Sequence, residues 1–115
     1  MSSKEFLLDN VNEFIKEARE AALNKSYNSS VTLYFKAIAV LCDIFILEKE
    51  KQIPKSHVER FQILKEKYPK LYKIIDKLFP LYQNSYRIKL NKKYVEIFEN
   101  DIKQIIEITK TKISN

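Results

Sequence analysis

The chain has 115 residues with no glycine, three prolines, one cysteine and a formal net charge of +6. That length suits a single domain spanning residues 1–115, large enough to bury a core without disulfide or metal staples. The absence of glycine excludes Gly-rich phosphate loops, predicts that tight turns are missing too, and disfavours sheets, which need glycine at hairpins and bulges.

Ser2 and Glu5 have capping-box spacing, so a first helix starts at Ser2 or Ser3. Leu7, Val11, Phe14, Ala18 and Ala21 recur at steps of three and four, and the helix runs to about Asn24. Lys25-Ser26-Tyr27-Asn28 breaks the pattern, with Asn28 as the expected N-cap of the next helix, which continues to about Lys51. Within it, fourteen of the seventeen residues Val31 to Leu47 are apolar or aromatic, the exceptions being Thr32, Lys36 and Asp43. Seventeen helical residues span roughly 25 Å, short for a bilayer. Two charges near the middle make a membrane span costly. A helix apolar nearly all round is instead the buried member of a bundle. Thr32, Lys36, Ala39, Asp43 and Glu50 fall on one narrow face. That face is either a thin solvent stripe or a polar strip lining a subunit interface or cleft.

Pro54 ends this helix, and Ser56 with Glu59 repeats the capping-box spacing at the start of a short helix to Lys67, with Val58, Phe61 and Leu64 as its apolar positions. Tyr68-Pro69 opens a fourth helix with the stripe Leu71, Ile75, Leu78 and Tyr82, flanked by Phe79 and Tyr86. Pro80 predicts a kink or break near Leu78 to Pro80. Asn91 is placed to cap the last helix, whose stripe is Tyr94, Phe98, Ile102, Ile105 and Thr109, and the tail ITKTKISN is expected to fray. The sum is an all-α, antiparallel up-and-down bundle of four long helices plus one short one, without internal repeats.

Charge is unevenly spread. Between Lys65 and Lys93 stand nine basic residues against Glu66 and Asp76, a net +7 that leaves the rest of the chain at −1. Such a segment can track a phosphate backbone or meet an acidic partner, or it can be a solvated lysine-rich face. Cys42 lies in the buried helix and MSSKEFLLDN lacks the layout of a leader, so a reducing cytoplasmic setting is expected. His57, the sole histidine, cannot hold a metal alone; no metal or other cofactor is expected.

Three stretches carry a family likeness: Ser30-Val31-Thr32-Leu33-Tyr34-Phe35-Lys36-Ala37 in the second helix, Ser56-His57-Val58-Glu59-Arg60-Phe61 opening the third, and Tyr82-Gln83-Asn84-Ser85-Tyr86-Arg87 late in the fourth. In this order the chain resembles the HEPN family, small all-helical domains of prokaryotes and higher eukaryotes. The resemblance implies a homodimer, a nucleotidyltransferase partner protein, and in many branches ribonuclease activity of the toxin–antitoxin kind. The ribonuclease branch uses an arginine four to six residues ahead of a histidine. Here the required positions before His57 hold Glu50, Lys51 and Gln52, so the motif is absent and no catalytic residue is assigned.

What remains is a basic and aromatic set, Tyr82, Tyr86, Arg87 and Lys89 with His57 and Arg60, where tyrosines can stack bases and cations can meet phosphate. Tyr82 and Tyr86 can equally continue the core stripe. Thr32, Lys36 and Asp43 are the candidate interface residues. The expected function is a non-catalytic HEPN-like module binding a nucleotide, RNA or a nucleotidyltransferase partner, without membrane association. The alternatives are a divergent metal-independent ribonuclease toxin using His57 with Arg60 or Arg87, and a structural homo-oligomeric assembly subunit.

Overall fold

The structure is a computed structural model and describes residues 2–113. The described residues are all-helical, with five helices and a 3-10 turn in a globule of 38 × 29 × 23 Å. The elements are α1 (Ser3–Leu23), α2 (Tyr27–Glu50), α3 (His57–Lys67), α4 (Pro69–Gln83), a 3-10 turn (Asn84–Tyr86) and α5 (Lys92–Thr109).

Both serine N-caps form. Ser2 Oγ accepts the Glu5 N–H at 3.1 Å and Ser56 Oγ accepts that of Glu59 at 3.1 Å, each satisfying an amide that a helix start leaves unpaired. Asn91 caps α5 by accepting from the Lys93 N–H. Asn28 does something other than the capping expected of it. Ser26 occupies the N-cap of α2 without a side-chain bond. The Asn28 side chain reaches across to the α4–α5 connection, donating to the carbonyls of Ser85 and Ile88 at 2.9 and 2.7 Å and accepting the Leu90 N–H at 2.9 Å. A loop with no helical ladder of its own is thereby pinned to α2.

Tight turns are present despite the absence of glycine. Lys25, Lys51 and Lys110 take φ of 61°, 63° and 53°, each just past a helix end. After α1 and α5 the amides of Ser26 and Thr111 close back onto Ala21 and Ile106, the hydrogen-bond pattern of a left-handed helix stop. Residue type alone argues against such turns; a lysine can hold the left-handed conformation where capping bonds offset its steric cost. Pro80 likewise does not break α4, which continues to Gln83 and then tightens into the 3-10 turn. One missing backbone bond is tolerated because Leu78 beside it is fully buried. Within the tail expected to fray, Ile108 and Ile113 pack on the core, and residues 114 and 115 lie outside the described residues.

α2 is the central element and meets α1, α4, α5 and the 3-10 turn. Val31, Ile38, Leu41, Ile44 and Ile46 are wholly buried, together with Val11 and Ala18 of α1, Leu78 of α4, and Phe98 and Ile105 of α5. Ala18 lets α1 approach closely: the buried Ser30 hydroxyl donates to the Ala18 carbonyl at 2.8 Å. α2 is long and apolar enough to cross a membrane, with mean hydropathy 1.9 in its most apolar window, yet 67% of that window is buried inside this fold. α3 docks on α4, from which it is separated by Tyr68 alone.

Candidate functional site

The clearest cleft lies where α3 and α4 close over the middle of α2. Its α3 wall is His57, Val58 and Phe61; its α4 wall is Asp76, Phe79 and Tyr82; and Phe35 of α2 forms the floor, enclosing about 560 Å³. The spacing explains the walls. On α3 the three residues stand at i, i+1 and i+4, and on α4 at i, i+3 and i+6, so each set shares one helix face.

The aromatic side chains are ordered against one another. Phe35 and Tyr82 stack with centroids 4.2 Å apart and planes 9° from parallel. Phe79 lies 5.9 Å from Phe35 and meets Phe61 edge to face at 5.6 Å. Tyr86 stands edge-on to Tyr82 at 5.5 Å, with their hydroxyls 2.7 Å apart. Burial, and then the Tyr86 hydroxyl bond, push the Tyr82 phenol up to about 12. Val58, 76% exposed, leaves apolar surface in the cleft, and Tyr86, 72% exposed, leaves more beside Tyr82.

Behind this cleft sits a polar relay. Arg60 Nε and Nη2 donate to the two carboxylate oxygens of Asp43 at 2.7 and 2.9 Å, a bidentate pair with both side chains nearly buried. Arg60 Nη1 lies 2.6 Å from His57 Nδ1. A guanidinium has donors only, so His57 Nδ1 must accept and the ring proton sits on Nε2. Arg60 is therefore committed on all sides, to Asp43 below and His57 above.

Of the six binding candidates read from the sequence, His57 and Tyr82 line the cleft, Arg60 holds His57, and Tyr86 holds Tyr82. Arg87 and Lys89 follow on the exposed segment after the 3-10 turn and make no hydrogen bond or ion pair with these four among the described residues. The interface candidates do not stay together as one surface. Thr32 bonds the Asn28 carbonyl and Ser85 Oγ, Lys36 is exposed with its ammonium 5.9 Å over the Phe14 ring, and Asp43 turns in to Arg60. In the basic segment Lys67 pairs with Glu50, and Lys77 lies 2.6 Å from the buried Asp101 Oδ2, as a charge contact not aligned as a hydrogen bond. Lys70, Lys73, Arg87, Lys89, Lys92 and Lys93 are exposed and make no ion pair among the described residues.

The places of Phe35, Phe61, Phe79 and Asp76 in the cleft escape the sequence reading, which takes the aromatics as core or as family markers. Asp76 recurs with Phe79 and Tyr82 at helical spacing, which is the available signal. Which helix faces that stripe is not written in it.

Two other concavities are chemically poorer. A larger one along α1, about 620 Å³, is walled by α1 side chains alone and is a helix flank rather than a cleft. One near Tyr34, about 220 Å³, is closed by the Tyr34 hydroxyl donating to Glu99 at 2.9 Å, with burial and Glu99 raising that phenol above its ordinary value. Cys42 is wholly buried, which pushes its thiol well up and keeps it in the unreactive form. Among the described residues no three His, Cys, Asp or Glu side chains converge to hold a metal. Comparison with protein-family models, curated proteins and solved structures returns no match to this chain.

Proposed function

We propose that the protein is a non-catalytic, HEPN-like binding module that takes a nucleotide or RNA base into the α3–α4 cleft. The observation that carries this is the cleft itself, open to solvent, lined by four aromatic rings and edged by His57. Planar bases stack on such rings with little regard to sequence, at about 1–3 kcal/mol each. The unpaired cations of α4 and the segment beyond it support the reading, since they supply attraction for phosphate without closing the cleft. The HEPN-type up-and-down topology, a homodimer, a nucleotidyltransferase partner and a toxin–antitoxin setting belong to the same proposal and rest on the sequence resemblance.

Titration of labelled single-stranded RNA at several salt concentrations tests it. The Tyr82→Leu variant is expected to weaken binding about tenfold at every salt concentration. Arg87→Glu with Lys89→Glu is expected to weaken binding at low salt and flatten the salt slope by about 0.7 for each phosphate no longer neutralised. Wild-type RNA binding indifferent to both variants in low salt would refute the assignment.

A second reading is favoured by one contact, His57 beside Arg60 at the cleft mouth. A histidine base and an arginine steadying phosphate charge are the parts of a metal-independent ribonuclease. Against it, Arg60 is already held by Asp43, and the lone pair that His57 would need as a base is taken up by Arg60. Cleavage of labelled RNA that disappears in His57→Ala would establish this activity.

A further inference from the structure

We propose that the α3–α4 cleft selects guanine among the bases, through the His57 Nε2–H and the Asp76 carboxylate. This deepens the base-binding reading above and rests on it. Apart from Tyr82, whose hydroxyl is bonded to that of Tyr86, two polar side chains line the cleft, and they differ in hydrogen-bonding character. His57 is locked as a donor: Arg60 occupies Nδ1, and Asp43 holds Arg60 by two bonds, so the proton stays on Nε2. Asp76 is exposed, has no hydrogen bond or ion pair among the described residues, and as an ionised carboxylate only accepts.

An acceptor-only group turns phosphate away, so the base rather than the phosphate enters. The base must then bring donors to Asp76. Guanine offers N1–H and N2–H side by side, matching the two carboxylate oxygens, with O6 next to them as an acceptor for His57. Adenine offers one amino group beside the N1 lone pair, which would face the carboxylate and be repelled. Uracil places an acceptor on either side of its one N–H, and cytosine has a lone pair at N3. Only the guanine edge pairs with the carboxylate twice. The aromatic walls stack any of the four and contribute no preference.

A matched bidentate contact of this kind discriminates by about tenfold or more. Calorimetric titration of the full chain with guanosine, inosine and adenosine monophosphates reads it directly. The expected result is guanosine monophosphate binding about tenfold tighter than adenosine monophosphate, with inosine monophosphate, lacking the 2-amino group, between them. Asp76→Asn replaces one carboxylate oxygen of an exposed residue by an amide and is expected to bring guanine and adenine to near equality. Equal affinity in the wild type, with both nucleotides weakened by Tyr82→Leu, would overturn the guanine assignment and leave base binding standing. A guanine preference that survives Asp76→Asn would overturn the role of Asp76. Absence of binding by all three nucleotides and by RNA would overturn this inference together with the base-binding reading.

Discussion

Asp43 and Arg60 stand seventeen residues apart in the chain and form the one nearly buried bidentate ion pair among the described residues. Such a pair is poor evidence for net stability, because removing two charges from water costs about what their attraction returns. Breaking it is another matter. Asp43→Ala leaves the nearly buried guanidinium without its carboxylate, held by His57, and is expected to destabilise the fold by about 3 kcal/mol. The double variant Asp43→Leu with Arg60→Met is expected to recover most of that loss, as measured by urea unfolding. Failure of the double variant to recover would mean that the pair is favourable in its own right. The same two residues orient His57, so both variants also test whether the cleft depends on a fixed imidazole. Asn28 works by a similar logic: one amide satisfies two carbonyls and one N–H on a loop about sixty residues away, and thereby places Tyr86 and Arg87 at the end of α4.

Helix ends, rather than helix interiors, carry the unusual backbone of this protein. In a chain without glycine, Lys25, Lys51 and Lys110 hold left-handed φ values. A residue with a Cβ bears roughly 1–2 kcal/mol in that region, offset here by the carbonyls that the turn satisfies. Lys25→Gly and Lys110→Gly are therefore each expected to raise stability by up to about 1 kcal/mol, less whatever glycine adds to the entropy of the unfolded chain. Thermal unfolding checks this, and a lowered midpoint in both would refute the account. In α4 the balance runs the other way. Pro80 removes a bond inside the helix, but Leu71, Ile75 and Leu78 are buried in the core, and burial of that face outweighs one bond. The corner between α3 and α4 is anchored by Tyr68, which meets Phe45 edge-on at 4.9 Å and donates to Glu50, the carboxylate that also holds Lys67.

At the scale of the whole molecule, these phenols set a pH limit. Tyr82 is raised to about 12 by burial and the Tyr86 bond, and Tyr68 to about 12 by its bond to Glu50, from ordinary values of 10.0. Tyr34 and Lys67 shift the same way. Above pH 10 the unfolded chain sheds protons that the folded chain retains, so stability is complete below pH 10 and falls as pH rises toward 12. The urea midpoint is expected to drop through that interval, and Tyr82→Phe, which keeps the stacked ring, is expected to reduce the drop. A midpoint independent of alkaline pH would contradict it. On the acid side Glu50, lowered by its bonds to Lys67 and Tyr68, contributes stability above its ordinary 4.5 that is lost as pH falls.

What the sequence determined by itself was local: helix type, the Ser2, Ser56 and Asn91 caps, and the all-round apolarity that makes α2 the core. Each depends on residues within a turn or two of one another, where period and capping chemistry suffice. The non-local partners were beyond it. The strip Thr32–Lys36–Asp43 reads as one face, yet one member joins the 3-10 turn, one meets solvent and one meets α3. His57, Phe35, Asp76 and Tyr82 come from three helices, and no periodicity along one helix says which face of another it will meet. That was decided by packing: burying α2 on several sides brings α3 and α4 together over Phe35, and the aromatic cleft is the space their side chains leave.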